Sequence, residues 1–307
     1  MSVTASASGF ARDGCDGAVL DRCDPPGAGA AFDVHALAAC AQRCLMLEIA
    51  TWPKPGLVSH VDAGSHLDMD AATFMRSAAA LRPFFAELAE AGARDAGMAA
   101  LRRIGLRAEH AMLAATGGVN THRGAIFGLG LMCAAAGRRA AGGAPAATAA
   151  TLGAIVARRW GAEILGGPRP SDSHGERAMR RHGVGGARRE AADGFASVYR
   201  VGLPALRSAA RLAPGDAEAA RVHACFALIA ALDDTNLLHR GGRDGLDFAQ
   251  RAARVFLARG GVGAADWRTR AAAAHRAFVA RRLSPGGAAD LLAMSLFAAA
   301  LDSEAAS

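Results

Sequence analysis

The chain has 307 residues, of which 52% are hydrophobic and only 5% aromatic, and its formal net charge is +7. Much of the hydrophobic fraction is alanine, which favours helices, whereas the β-branched and aromatic residues that favour strands are few. An all-α fold is therefore expected, although a coding bias toward Ala, Arg and Gly would produce a similar composition. Three Trp and one Tyr offer few stacking surfaces, and no basic run is interleaved with aromatics, which disfavours a nucleic-acid partner.

The sequence shows no signal for export, membrane insertion or structural metal. No apolar run reaches the roughly 20 residues that a membrane-spanning helix needs, and the first residues lack the apolar core of a signal peptide. The six cysteines form no CxxC pair, and Cys40 and Cys44 have no further ligands at zinc spacing. We therefore expect a cytoplasmic protein with reduced thiols and no membrane partner.

Taken in chain order, the hydrophobic periodicity predicts one all-helical catalytic domain. Residues 1–31 read as a disordered or poorly ordered tail, and residues 32–307 as a single globular domain of about ten helices. Asp33 and Asp70 are predicted to cap the first two helices, which run to about Ala50 and Ala91. Later helices are predicted over residues 96–114, 125–136, 147–164, 174–182, 187–210, 216–232, 243–259, 266–282 and 287–301, with a surface linker at 138–146 and a loop at 166–173.

Residues 48–70 form the first segment with more polar side chains than a helical bundle needs. The sequence EIATWPKPGLVSHVDAGSHLDMD holds them between prolines and glycines, and polar loops on a rigid scaffold commonly form binding sites. A capping loop is the alternative, and Asp70 belongs mostly to it. The candidate site residues are Lys54, Asp62, Ser65, His66 and Asp68.

A glycine-rich segment, TGGVNTHRG at residues 116–124, opens directly into an apolar helix. Its glycines allow the backbone to approach a ligand, and the N–H groups at the start of the helix attract anions. The segment is not a Walker loop, because the GK[ST] ending is absent. The candidates are Gly117, Gly118, Asn120, His122 and Arg123.

The segment DDTNLLHRGG at residues 233–242 follows an apolar helix, so its two carboxylates are predicted at a helix C-terminus. That position opposes the helix dipole unless a cation compensates, and Mg²⁺ on a nucleotide phosphate is the natural one. A solvated helix end capped by Asn236 is the alternative. Asp233 and Asp234 are the candidate metal ligands and catalytic carboxylates, with Asn236, His239 and Arg240 as candidate substrate ligands.

Two weaker segments complete the set. In LSPGGAADLL, Ser284 as N-cap and Pro285 at the first helical position predict the start of the last helix, while Asp290 keeps a substrate role open. In SHGER, His174 and Glu176 flank a glycine before the basic stretch 177–189, which we interpret as a solvated face that also suits phosphate.

Five motifs in this order resemble triphosphoribosyl-dephospho-CoA synthase: PKPGLVSHVDAGSHLDMD, TGGVNTHRGAIF, SHGERAMRRHGVGGARREA, DDTNLLHRGG and LSPGGAADLLA. The similarity covers about residues 35–301. The segment GERAMRRHGVGGARREAADGFASV is more similar to the branch of the family that serves malonate decarboxylase than to the branch that serves citrate lyase. The family pattern often has Lys after the His of the second motif. Arg123 keeps the charge here but changes its geometry.

The resemblance implies a transferase that converts ATP and 3′-dephospho-CoA into 2′-(5″-triphosphoribosyl)-3′-dephospho-CoA and adenine, with Mg²⁺ on the triphosphate. The product is the precursor of the prosthetic group of an acyl-carrier subunit. The resemblance also implies a downstream transferase and the acyl-carrier subunit of malonate decarboxylase as partners. The Ala-rich helices are compatible with a homodimer.

Such a reaction needs a general acid for the departing adenine, a general base for the attacking 2′-hydroxyl, and a carboxylate near an oxocarbenium-like transition state. We assign Asp233 and Asp234 to the metal or to oxocarbenium stabilisation, and His66 or Asp62 to acid or base catalysis. The phosphates are assigned to Lys54, His122, Arg123 and Arg240, and the ribose or base to Asn120 and Asn236.

Three other functions fit parts of this pattern. A Mg²⁺-dependent nucleotide-ribose hydrolase would release the base without dephospho-CoA. A binding module or chaperone for the carrier protein would tolerate loss of the carboxylates. A nucleic-acid binder would depend steeply on salt. The dense polar residues in loops held by Gly and Pro argue against the last two.

Overall fold

A computed structural model of the chain describes residues 32–142, 150–168 and 183–302. Within these ranges the chain forms helices and no strands, which confirms the all-α prediction. The helices are α1 (Val34–Ile49), α2 (Ala71–Ala93), α3 (Met98–Thr116), α4 (Arg123–Ala141), α5 (Leu152–Gly166), α6 (Gly186–Ala192), α7 (Leu203–Leu212), α8 (Ala217–Ala231), α9 (Thr235–Ala258), α10 (Trp267–Ala280) and α11 (Gly286–Leu301). A π-helical turn (Val198–Gly202) precedes α7, and a 3₁₀ turn (Gly261–Gly263) precedes α10.

The first two helices begin at the aspartates that the sequence indicates. Asp33 accepts a hydrogen bond from the backbone of His35 at 2.8 Å, and Asp70 accepts one from the backbone of Thr73 at 2.8 Å. Each carboxylate satisfies an N–H group that the first helical turn leaves without a partner. Both predicted caps are therefore confirmed.

The centre of the fold is α4, whose residues 125–137 are almost all buried, as predicted. Helix α2 packs against it with very close backbones. A Cβ added at Gly92 would overlap the carbonyl of Ala134, and one added at Gly137 would overlap that of Ala89. Small residues on both helices permit this approach, and the tight pairing holds the start of α4 in a fixed place.

Three predicted helix boundaries are wrong. Helix α4 continues to Ala141, so it includes the first residues of the predicted linker 138–146. Helix α9 begins at Thr235 instead of residue 243, because Asp234 caps it, and it kinks at Gly242. The last helix has Pro285 at its N-cap, and Ser284 makes no capping bond there. Its side chain bonds His66 instead.

The predicted helix over residues 187–210 is interrupted. Helix α6 ends at Ala192, and Gly194 and Phe195 have positive φ angles of 78° and 57°. A left-handed backbone cannot continue an α-helix, and Glu190 accepts a hydrogen bond from the backbone of Ser197 across this turn at 2.6 Å. The predicted helix 174–182 and the predicted tail 1–31 lie outside the described residues.

In the ranges that the structure describes, no helix is both long enough and apolar enough to cross a lipid bilayer.

Candidate active site

A large cleft opens where the α1–α2 loop meets the starts of α4, α9 and α11. Its volume is about 1440 Å³, which exceeds the roughly 300–1,000 Å³ of a pocket for one small molecule. There is space for more than one nucleotide-sized ligand. The predicted site residues on its wall are His66, Asp68, Asn120, His122, Arg123, Asp233, Asp234, Asn236, His239 and Arg240. Folding thus brings together three segments that are far apart in the chain.

Lys54 lies behind the cleft wall, not on it. Its ammonium group is fully buried and bonds both the carboxylate of Glu48 and, at 2.6 Å, the carbonyl oxygen of Glu48. Glu48 itself lines the cleft. The phosphate role predicted for Lys54 is untested, and this geometry instead makes Lys54 the cation that holds a cleft carboxylate in place.

Asp62 and Ser65 tie the α1–α2 loop to the rest of the fold. Asp62 is exposed and lies 3.2 Å from Nε2 of His275, whose Nδ1 bonds the carbonyl of Lys54 at 2.6 Å. Ser65 donates its hydroxyl to the carbonyl of Leu283 at 2.6 Å. Neither Asp62 nor Ser65 is on the described cleft wall, whereas His66 is. Of the two candidate acid–base groups, Asp62 and His66, His66 is therefore better placed.

Gly117 and Gly118 end helix α3. Both have positive φ, 67° and 91°, and the backbone of Gly118 donates to the carbonyl of Leu113 at 2.8 Å. This is a left-handed helix end, which favours glycine because a Cβ would be strained. Their role in ending helix α3 explains both glycines without a ligand. They lie outside the described cleft wall. Positions 174 and 176, with His174 and Glu176, fall outside the described residues.

His66 is the centre of a small polar cluster on the wall. Its Nε2 lies 2.9 Å from the Ser284 hydroxyl, and Arg240 donates toward its Nδ1 at 3.2 Å. The Asp68 carboxylate is 3.8 Å from the same Nδ1. Burial, followed by the Arg240 charge, lowers the pKa of His66. The imidazole is therefore neutral at pH 7, as a general base must be.

Asp234 joins the N-termini of two helices. Its carboxylate accepts from the backbone of Asn236 (2.8 Å) and Leu237 (3.3 Å) in α9, and from Ala288 in α11 (3.0 Å). It is only 1% exposed, and burial raises its pKa against the effect of these N–H groups. The sequence predicted that Asp234 would oppose the dipole of the preceding helix. In the structure its carboxylate lies at the N-terminus of α9, where the helix dipole favours a negative charge.

Asp233, by contrast, presents its carboxylate to solvent at the cleft. Its contact with another side chain is a 3.4 Å approach from the amide of Gln250. Across the described residues, no group of three or more His, Cys, Asp or Glu side chains is arranged to hold a metal ion. A cation that binds here would have to bring most of its ligands with it.

His122 is buried on the cleft wall and carries no charge. Its Nδ1 lies 2.7 Å from the hydroxyl of Ser77. Burial, with a smaller contribution from the Lys54 charge, lowers the pKa of His122 to about 3. A neutral imidazole does not attract a phosphate by charge, so Arg123 and Arg240 are the better phosphate ligands among the predicted residues of the wall.

Helix α4 begins at the cleft, and the N–H groups of two of its first residues already have partners. Asn120 accepts from the backbone of Arg123 at 3.3 Å, and Asp290 accepts from the backbone of Ala125. The Arg123 side chain is exposed and bonds Glu109 at 3.0 Å. One donor of the predicted anion site at this helix end, the N–H of Ala125, therefore already bonds a carboxyl group of the protein itself.

Glu48 is a cleft residue that the sequence analysis did not select, and Asp290 is one for which it left a substrate role open. Burial, followed by the charges of Glu48 and Asp234, raises the pKa of Asp290 well above its ordinary value. Asp290 follows a Gly-Gly pair that starts α11, and that pattern was its one signal in the sequence. Glu48 lies in the last turn of α1, and its pairing with Lys54 depends on how the loop folds back.

Comparison with known proteins gives a consistent family. The model of the CitG family, described as ATP:dephospho-CoA triphosphoribosyl transferase, matches residues 34–307. A Pseudomonas paraeruginosa protein named "probable 2-(5″-triphosphoribosyl)-3′-dephosphocoenzyme-A synthase" is 43% identical over 268 residues, covering 85% of this chain and 89% of its own. A Pectobacterium atrosepticum protein named 2-(5″-triphosphoribosyl)-3′-dephosphocoenzyme-A synthase is 41% identical over 265 residues, covering 82% and 85%. No solved structure matches the chain.

Proposed function

Because the chain belongs to the CitG family of ATP:dephospho-CoA triphosphoribosyl transferases, we propose that it transfers the 5-triphosphoribosyl group of ATP to the 2′-hydroxyl of 3′-dephospho-CoA and releases adenine. The observation that carries the proposal is the cleft of about 1440 Å³ described above. It has room for two nucleotide substrates. Its wall combines arginines, uncharged histidines, an exposed carboxylate and a carboxyl group with a raised pKa.

Arg123 and Arg240 hold the phosphates in this proposal. Both are on the cleft wall and exposed, and guanidinium groups suit phosphate oxygens. Mg²⁺ enters as part of the ATP substrate, since it prefers one or two carboxylates together with phosphate oxygens and water. Asp233 fits that role because its carboxylate is exposed. Asp234 does not fit it, because backbone N–H groups occupy its carboxylate.

Asp290 acts as the general acid. The bond from C1″ of the ribose to the adenine nitrogen breaks, and its electron pair leaves with adenine. A carboxyl group with a raised pKa keeps its proton to higher pH than an ordinary carboxyl group and can give it to the departing base. Burial and the neighbouring Glu48 and Asp234 charges keep the Asp290 proton in place.

His66 acts as the general base, and Glu48 faces the positive charge that develops on the ribose. The neutral imidazole of His66 accepts the proton of the 2′-hydroxyl as its oxygen bonds to C1″. The Glu48 carboxylate is held in place by its ion pair with Lys54, and a fixed carboxylate stabilises an oxocarbenium-like transition state. Proton exchange with water then returns His66 and Asp290 to their starting states.

The product serves the acyl-carrier subunit of malonate decarboxylase in this proposal, in the cytoplasm, with citrate lyase as the alternative destination. The support is the resemblance of residues 175–198 to the malonate branch. Deleting the gene in its host and weighing both carrier subunits separates the two. Loss of the prosthetic group from the citrate lyase carrier alone would reject the malonate assignment.

The reaction is tested by incubating the protein with ATP, 3′-dephospho-CoA and Mg²⁺. We expect free adenine and a CoA product that is heavier by one triphosphoribosyl unit. Adenine release without dephospho-CoA would identify a nucleotide-ribose hydrolase, and absence of adenine under all conditions would identify a binding module. Asp247→Asn is the matched control, since Asp247 is an exposed residue of α9 away from the described cleft wall.

A further inference from the structure

One buried polar atom on the cleft wall lacks a hydrogen-bond partner. Among the described residues, buried side-chain nitrogens without a partner occur in four places, and of these the Nε2 of His122 belongs to a cleft residue. His122 is only 3% exposed. Proteins rarely leave a buried polar atom unsatisfied, because burial removes it from water. A ligand in the cleft is the natural partner for this nitrogen.

The hydrogen bonds around His122 decide which nitrogen carries the proton. Thr121 donates its hydroxyl to the Ser77 oxygen at 2.8 Å, and Ser77 lies 2.7 Å from His122 Nδ1. Since the Ser77 oxygen accepts from Thr121, its own proton is available for Nδ1. A neutral imidazole has one proton, so that proton lies on Nε2. The unsatisfied atom is therefore an N–H donor without charge.

The surroundings of this donor suit an uncharged, flat ligand group. The Phe74 ring meets the imidazole edge to face, with centroids 4.9 Å apart and planes at 84°, and both rings line the cleft. Flat bases pack well on aromatic side chains. Phosphate, by contrast, is matched by the charged Arg123 and Arg240 elsewhere on the wall.

We infer that His122, positioned by Ser77, binds a ring nitrogen of the adenine of ATP and not its phosphates. The inference rests on the proposed function, in which that adenine is the leaving group. As the bond to C1″ breaks, the electron pair makes the adenine ring more negative, and the hydrogen bond from Nε2–H strengthens. His122 keeps its proton throughout, and Ser77 is a positioning residue that holds the donor on Nε2.

The first test measures binding by calorimetry, without turnover. We compare ATP, adenosine, tripolyphosphate and 3′-dephospho-CoA, each with Mg²⁺, on wild type, His122→Phe and Ser77→Ala. His122→Phe is expected to weaken ATP and adenosine about tenfold and to leave tripolyphosphate and dephospho-CoA unchanged. Ser77→Ala should weaken the same two ligands, ATP and adenosine, by a smaller factor. His110→Phe, at an exposed position of α3, is the control and should change nothing.

Three outcomes would overturn the inference. Weaker tripolyphosphate binding in His122→Phe would show that His122 binds the phosphates. Weaker dephospho-CoA binding alone would assign it to the base of the other substrate. Equal losses for all four ligands would show a structural role only. Binding is measured apart from the reaction, so a protein that releases no adenine but shows the expected pattern would fail the proposed function and keep this inference.

A second test reads the proton directly and does not need a variant that folds. Nitrogen NMR of the ¹⁵N-histidine-labelled full chain at pH 7 is expected to show His122 with its proton on Nε2, and the Nε2 signal should shift when adenosine is added. Tripolyphosphate should not shift it. A proton on Nδ1, or a shift with tripolyphosphate alone, would reject the inference.

Discussion

The carboxyl group of Asp290 in α11 lies directly against the backbone of Gly124 in α4. A Cβ added at Gly124 would overlap Oδ2 of Asp290, and the backbone N–H of the next residue, Ala125, donates to the same carboxyl group. Two motifs that are far apart in the chain are thus in contact, and the contact places a half-buried acid on the cleft wall.

Gly124→Ala should displace Asp290 and lower the rate of adenine release by at least tenfold. The added methyl group and the carboxyl oxygen cannot occupy the same space, so the acid moves out of position. Steady-state adenine release measures the effect, with thermal unfolding as a check on folding. Gly166→Ala at the end of α5 is the control, because no described atom lies within 4 Å of its added Cβ and Gly166 is not on the cleft wall. An unchanged rate in Gly124→Ala would remove Asp290 from the reaction.

Asp290→Asn should lower kcat by about 10²–10⁴, the range typical of losing a general acid. Wild-type kcat should fall as pH rises through the raised pKa of Asp290, because the carboxyl group loses the proton that it donates. The variant should lack that alkaline limb. A pH–rate profile of both proteins measures this, and an identical alkaline limb in the variant would contradict the assignment.

Asp290 should also make folding stability depend on pH. Its pKa is higher in the folded than in the unfolded chain, where it is near 3.8, so the folded state binds the proton more tightly. The resulting stability is fully present below the unfolded pKa and is lost as pH rises through the folded pKa. The difference in free energy of unfolding between wild type and Asp290→Asn should therefore shrink with rising pH. A pH-independent difference in urea unfolding would argue against a raised pKa.

Lys54→Met should destabilise the protein by about 3–5 kcal/mol, because it leaves the Glu48 carboxylate buried without its cation. Adding Glu48→Gln should recover much of this loss, since the uncompensated charge is then absent. Urea unfolding of the two single variants and the double variant gives the coupling energy. If the single and double variants were equally stable, the pairing of Lys54 with Glu48 would contribute little.

Asp233 and Asp234 should respond differently to substitution. Asp234→Ala should lower stability by about 1–2 kcal/mol or more, because it removes a helix cap. Asp233→Ala should leave stability unchanged and raise the Mg²⁺ concentration needed for half-maximal adenine release. Thermal unfolding and a Mg²⁺ titration measure the two effects, beside the Asp247→Asn control. A higher Mg²⁺ requirement in Asp234→Ala alone would reverse the assignment.

The local sequence was sufficient for much of the fold. Asp33 and Asp70 cap helices as expected, because a cap depends on residues within one turn of the chain. The apolar run after residue 124 is a buried helix for the same local reason. The ordered motifs were also sufficient to predict the family, which the family match to residues 34–307 confirms.

Which polar residues face the cleft, and in what charge state, was decided by tertiary structure alone. Lys54 and His122 looked like phosphate ligands, but one is paired behind the wall with Glu48 and the other is neutral because it is buried. Burial, followed by the charges of Glu48 and Asp234 from other parts of the chain, raises the pKa of Asp290. Burial and charge–charge interactions depend on distances between segments that are remote in sequence, and those distances exist only once the helices have packed.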